Sequence, residues 1–125
     1  MRNININKKT INQNSDCYVI AEIGHNHQGN LDQCLKIIDE AKKCNVSAVK
    51  LQKRNNKKLF TSDFYNQDYN SQHAFGQTYG EHREKLEFGK KEFLIIKEFC
   101  EKLDIDFICT AFDKESVDFL TDINV

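Results

Sequence analysis

Four residues carry the chemistry that the chain offers first: Glu22, Lys50, Gln52 and Thr110. Each lies near the end of a short apolar run, where a buried strand has no structural need for charge. Lys50 and Gln52 are two apart, so in an extended segment they share one face, while Val49 and Leu51 take the other. An unpaired lysine in such a setting loses its charge or destabilises the fold. A bound anion, or a carboxylate such as Glu22, resolves the conflict. The pattern points to recognition of an anionic substrate, with an ion pair that only tightens the interior as the competing reading. Threonine is a common strand residue, so Thr110 alone leaves both readings open.

The elements that must position these residues follow from periodicity. Tyr18 to Gly24 is a short apolar, β-branched run ending in glycine, which predicts a buried strand. His25 to Gly29 form a polar turn. Asn30 is placed to cap a helix, with Gln33 in a capping-box-like position and Leu31, Cys34, Leu35, Ile38 and Ala41 at helical spacing. Lys42 and Lys43 suit its C-terminal end. Ser47 to Gln52 predicts a second strand. The tract 53–89 has no clean period, and a connection that long inside a domain is usually functional or disordered. A second helix is predicted over 90–103 through Phe93, Ile96, Cys100 and Leu103. A third strand is predicted over Ile105 to Phe112, and a third helix after an Asp113 cap with Val117 and Leu120 on one face. This strand–helix alternation predicts an α/β fold of parallel βαβ units with right-handed crossovers. Residues 1–16, with Ile4, Ile6 and Ile11 among polar neighbours, are expected to form a short hairpin or a flexible tail.

Composition narrows the function classes. The net charge is −1, from 18 basic and 19 acidic residues, which argues against binding nucleic acid by bulk charge or an anionic membrane surface. No run approaches the roughly 20 apolar residues of a membrane span. The first 16 residues lack the apolar core of a secretory signal, so a cytoplasmic location is expected. The five cysteines include no CxxC pair and are expected to be small buried thiols in a reducing compartment. His25 and His27 are spaced to reach a metal from a loop, but a turn that positions backbone amides is the plainer reading. Gly29 before a helix start suits an anion. No GxGxxG or GxxxxGK[ST] pattern occurs, so a nucleotide-binding fingerprint is not supported.

Several tracts together resemble one family. Ile20-Ala-Glu-Ile-Gly-His-Asn-His-Gln-Gly29 resembles the opening signature of the sialic acid synthases, including those of N-acetylneuraminate, its 9-phosphate, legionaminate and pseudaminate. Ala48-Val-Lys-Leu-Gln52 resembles the second-strand motif. Thr78-Tyr-Gly-Glu-His-Arg-Glu-Lys-Leu-Glu87 resembles the segment before the second helix. Cys109-Thr-Ala-Phe-Asp113 resembles the third-strand ending, and Ser116-Val-Asp-Phe-Leu120 the segment after it. Four motifs in order, over residue 17 to the end, are more specific than any one.

The resemblance implies a (β/α)8 TIM barrel. Residues 17–125 would be its first three βα units, truncated before strand 4; a whole barrel takes about 250 residues. It implies condensation of phosphoenolpyruvate with an N-acyl hexosamine, or its 6-phosphate, to a nine-carbon 2-keto sugar acid with release of phosphate. A divalent cation, Mn2+ or Mg2+, would polarise the sugar aldehyde. The family's metal-binding histidines and most phosphate contacts lie on later strands, so no metal ligand is expected within this chain and little activity from it alone. Position by position, the resemblance has Lys50 contact phosphoenolpyruvate, Glu22 stand beside the reacting carbon, Gln52 face the sugar and Thr110 line the pocket wall. Asn26 and His27 would shape the turn, and Tyr79 and Arg83 the loop over the sugar. It further implies a homodimer. The family usually has proline where this chain has Ala111. Two alternatives remain: a non-catalytic binding or assembly remnant of the same fold, and a sibling synthase that joins phosphoenolpyruvate to erythrose 4-phosphate.

Overall fold

The computed structural model describes residues 2–125. The chain begins with a hairpin of β1 (Ile4–Ile6) and β2 (Lys9–Ile11), paired antiparallel with Ile4 opposite Ile11. Its two-residue turn places Asn7 at φ 48°, a left-handed conformation that asparagine tolerates. Asn7 Nδ2 donates to Asp106 Oδ1 at 2.8 Å, and Lys9 Nζ to the Ser47 carbonyl at 3.2 Å, so the hairpin is tied to the N-terminal end of the main sheet. The expected span 1–16 begins at Met1, which lies outside the described residues.

The main sheet is parallel, in the order β3 (Ile20–Gly24), β4 (Ala48–Lys53) and β5 (Asp106–Ala111). Glu22 pairs with Lys50, Lys50 with Ile108, and Gln52 with Thr110. Alternation gives the sheet two unlike faces. Ile23, Val49 and Leu51 are buried against α1 (Leu31–Lys43), α5 (Lys90–Lys102) and α6 (Lys114–Asp122) through Cys34, Ile38, Phe93, Ile96 and Leu120. Each large apolar side chain buried there contributes about 1.5–3 kcal/mol. The opposite face carries Glu22, Lys50, Gln52 and Thr110, none of them buried.

The helices start where their caps dictate. Asn30 Oδ1 accepts from the Gln33 amide at 2.9 Å, as the sequence predicts; the Gln33 side chain, however, donates to the Asn26 carbonyl at 2.7 Å and so braces the turn. Asp113 caps α6 by accepting from the Ser116 amide at 2.8 Å. That cap fixes the helix phase and corrects one expectation: Val117 is 52% exposed, while Ser116, Leu120 and Ile123 face inward. The thiols also need correction. Cys34 and Cys100 are buried, with burial pushing both thiols up to about 12, but Cys17 and Cys44 are exposed.

The aperiodic tract 53–89 is ordered. It holds α2 (Asn56–Leu59), α3 (Ser62–Tyr65) and α4 (Tyr79–Lys85), the last begun by a Thr78–Glu81 capping box. What organises it is a cluster of rings: Phe60, Phe64, Tyr69, Phe75, Tyr79 and His82. Gly80 is required at the join, because a Cβ there would lie 2.4 Å from the Tyr65 ring. Among the described residues, no helix is long and apolar enough to cross a membrane.

Candidate functional site

The C-terminal ends of β3 and β4 bring the predicted residues together. Lys50 Nζ lies 2.9 Å from Glu22 Oε2, with the two side chains 33% and 44% exposed. The parallel register sets this contact directly, since the two residues are paired across the strands. Gly24, at φ 57°, closes the group: a Cβ built there would stand 3.4 Å from Gln52 Nε2 and 3.5 Å from Glu22 Oε1. The left-handed backbone is what favours glycine here; a Cβ would meet the two polar groups only at ordinary contact distance. Thr110 is half-buried opposite Gln52 on β5, two strands away from Glu22. An ammonium, a carboxylate, a carboxamide and a hydroxyl thus share one sheet face. Together they can hold an anion, orient a polar partner and position water.

Asn26 and His27 belong to the turn rather than to this face. Asn26 Nδ2 donates to the Ile23 carbonyl at 2.8 Å. His27 is 1% exposed, stacks on Phe88 at 4.1 Å between ring centroids, and accepts at Nδ1 from the Gly29 amide at 3.1 Å. Burial lowers its pKa to about 4; the neighbouring His25 acts in the same direction and Glu87 opposes it. His27 is therefore a neutral, packed imidazole at neutral pH. Tyr79 sits in the aromatic cluster of the loop.

A second cluster, of which the sequence pointed only to Arg83 as a site residue, stands just beyond these strands. His25 Nε2 lies 3.2 Å from Glu87 Oε1, a close approach that is not aligned as a hydrogen bond. Glu87 Oε2 lies 3.3 Å from Lys53 Nζ and accepts from the Arg54 amide at 3.2 Å. Arg54 Nη1 and Arg83 Nη2 stand 3.1 and 3.0 Å from His25 Nδ1. Guanidinium only donates, so Nδ1 is the acceptor and the imidazole proton sits on Nε2, toward the carboxylate. Arg54 also lies over the Phe112 ring, 3.8 Å from its centroid. Burial opposes ionisation of Glu87, but His25, Lys53 and the Arg54 amide outweigh it and hold the carboxyl below the usual range. Burial and the charge of Arg83 lower Arg54 from its ordinary value. Of its members the sequence singled out Arg83 alone, as a loop residue; Lys53 and Arg54, at the end of β4, lie more than thirty residues from their partner Glu87.

Among the described residues, no three His, Cys, Asp or Glu side chains converge as a metal-binding group. The His25-Asn26-His27 tract does not supply one: its rings meet edge to face, 5.6 Å apart, and His27 Nδ1 is engaged with the Gly29 amide.

Comparison with known proteins gives the family. Residues 37–125 match the NeuB family. The chain is 45% identical over 108 residues to an N-acetylneuraminate-9-phosphate synthase of Drosophila melanogaster, covering 86% of this chain and 29% of that protein. It is 31% identical to an N,N'-diacetyllegionaminic acid synthase of Legionella pneumophila, covering 87% of this chain and 31% of that one. The chain thus spans about three-tenths of the length of these curated relatives. Among solved structures it is similar to an N-acetylneuraminic acid (sialic acid) synthetase from Leptospira borgpetersenii, with TM-score 0.76 and 32% identity, covering 99% of this chain and 39% of that one. A parallel sheet backed by helices on one face and the matched residues together place this chain in the NeuB family.

Proposed function

We propose that the sheet face of Glu22, Lys50, Gln52 and Thr110 is one wall of a site that condenses phosphoenolpyruvate with an N-acyl hexosamine, within a (β/α)8 barrel. The observation that carries this reading is the Lys50–Glu22 pair, 2.9 Å apart and partly exposed on the polar sheet face that leads to the C-terminal ends of the parallel strands. In such sheets that edge is where ligands bind. Family membership and the synthase activities of the relatives support the same reaction class.

In this reading Lys50 holds the anionic groups of phosphoenolpyruvate, and Gln52 hydrogen-bonds the sugar beside it. The terminal methylene carbon (C3) of phosphoenolpyruvate bonds to the sugar aldehyde carbon, whose oxygen takes up a proton. Water then adds at C2, the carbon that bears the phosphate ester; the new hydroxyl gives its proton to the departing phosphate as the C–O bond breaks, giving inorganic phosphate and a 2-keto acid. Glu22, freed from Lys50 by the incoming anion, positions that water and accepts its proton. Thr110 closes the wall on β5. A divalent cation in such a site supplies Lewis-acid polarisation of the aldehyde. The described residues hold no ligand set for it, so no step is assigned to them through that ion.

The test is binding before turnover. Titration of phosphoenolpyruvate into the chain, followed by the amine NMR signals of its lysines, is expected to shift Lys50. No shift at Lys50 with saturating phosphoenolpyruvate rejects the assignment. Since these residues offer one wall and no metal ligands, phosphate release by the 125-residue chain alone is expected to be undetectable.

A further inference from the structure

His25 sits where a single proton would undo the contacts around it. Its Nδ1 faces two guanidiniums, Arg54 Nη1 at 3.1 Å and Arg83 Nη2 at 3.0 Å. A ring nitrogen can accept from them only while it carries no proton of its own. On the far side of the ring, Nε2 stands 3.2 Å from Glu87 Oε1, and the His25 side chain is only 10% exposed. The charged and titratable groups that meet this ring come from three segments. His27, in the same turn, lies edge to face at 5.6 Å. Arg54 follows β4, and Lys53 at the end of β4 holds the other oxygen of Glu87. Arg83 belongs to α4, and Glu87 comes just after it. A proton on Nδ1 removes the acceptor for both arginines and sets a new positive charge against them at close range. Glu87, opposite, favours keeping the charged ring in place.

The two arginines are not held equally. Arg54 has other ties: it lies over the Phe112 ring, 3.8 Å from the centroid, and its amide donates to Glu87. Among the described residues, the Arg83 guanidinium has its one hydrogen bond to His25, and its Nε is buried without a partner. A buried N–H with no acceptor is costly, and release to water satisfies it. Arg83 is therefore poised between an inner seat and solvent, with His25 as the deciding contact. We propose that His25 is a proton-operated latch: neutral, it holds the Arg83 side chain of α4 against the ends of β3 and β4, and protonated at Nδ1 it lets Arg83 go. The proton comes from solvent, the charged ring stays with Glu87, and Arg54 stays on Phe112. Leu86 and Phe88, both buried, keep the chain after α4 anchored, so what opens is the seat of Arg83 and not the whole loop. The latch uses no substrate and stands apart from the condensation reading.

The test follows 15N-labelled histidine and arginine in the chain by NMR from pH 8 to pH 5. His27, lowered to about 4, stays neutral over most of that range and does not confuse the reading. At pH 8 the His25 ring is expected to carry its proton on Nε2, and the Arg83 Nε–H to exchange slowly with solvent. As Nδ1 takes up a proton, exchange at Arg83 should rise about tenfold relative to the exposed Arg2, with the same midpoint, while Arg54 stays unchanged. His25→Gln supplies an acceptor that does not titrate, so Arg83 should stay protected in it throughout. A tie that is merely structural gives no shared midpoint. The proposal is overturned by a proton on Nδ1 at pH 8, by a ring that stays neutral down to pH 5, or by a charged His25 with Arg83 still protected. Release of Arg54 with or before Arg83 overturns it too, as does release of Arg83 at low pH in His25→Gln. If His25→Gln loses its fold by circular dichroism, the coincidence of the two midpoints in the wild type decides.

Discussion

Two carboxylate–lysine pairs stand a few residues apart, and they behave oppositely. Glu22 and Lys50 meet at 2.9 Å on the open sheet face, each substantially exposed. Glu87 and Lys53 meet at 3.3 Å with the Glu87 side chain only 8% exposed, under His25 and the Arg54 backbone. In the first, water competes for both charges, so the pair is weak and either member can be released to a ligand. In the second, the charges are held by burial and by several partners, and removing one leaves the others stranded. Chemical type is the same in both; solvent access and partner count separate a pair that is ready to bind from a pair that holds the chain together.

The sharpest way to break this comparison is to delete each carboxylate. Glu87→Ala is expected to lower the unfolding free energy by about 3–5 kcal/mol, because Lys53, its side chain only 14% exposed, loses its carboxylate and keeps just the Phe88 carbonyl. Glu22→Ala should change it by no more than about 1 kcal/mol. Urea denaturation of the two variants measures both, and equal losses would end the distinction.

Acid probes the buried side next. His27 has an ordinary pKa of 6.5 when unfolded and about 4 when folded. Its contribution is therefore fully present above pH 6.5 and is lost as pH falls toward 4. At about 1.4 kcal/mol per pKa unit, the loss reaches about 3 kcal/mol by pH 4. Glu87 adds a loss of the same sign at lower pH, since its carboxyl is held below the usual range. Stability measured from pH 7 to pH 4 should fall steeply in the wild type and less steeply in His27→Gln. Parallel curves for the two proteins would remove His27 as the cause.

Lys50→Met sharpens the exposed side. It is expected to weaken phosphoenolpyruvate binding at least tenfold by calorimetry while shifting unfolding by less than about 1 kcal/mol. A large stability loss with unchanged binding would make the open pair structural after all. The smallest effect is expected from Thr110→Val, which keeps strand propensity and removes one hydroxyl from the wall. Its unfolding midpoint should match the wild type, and any change should appear in ligand affinity alone.

Much of this was legible in the chain because its signals are local. The alternation of Val49 and Leu51 with Lys50 and Gln52 declared two faces of a strand, and the structure buries the first pair and leaves the second open. Asn30 and Asp113 announced their helices through hydrogen bonds made within three residues. The loop 53–89 was not legible, since its order comes from rings such as Phe60 and Tyr79 that meet across nearly twenty residues. The inner face of α6 was misread at Val117 because the Asp113 cap, not hydrophobicity, sets the phase of a short helix. The cluster around Glu87 escaped for the same reason as the loop: His25, Arg54 and Arg83 come from three separate segments.

By itself, then, the sequence determined which residues are polar where a strand should be apolar, and it placed Glu22, Lys50, Gln52 and Thr110 near strand ends. Only the tertiary structure decided that Glu22 is the partner of Lys50, that Gln52 and Glu22 both border Gly24, and that two arginines converge on His25. Periodicity is a property of neighbouring residues and can be read along the chain. Strand register and solvent exposure arise only when distant segments pair, and they decide whether a charge is spent on the fold or left free for a ligand.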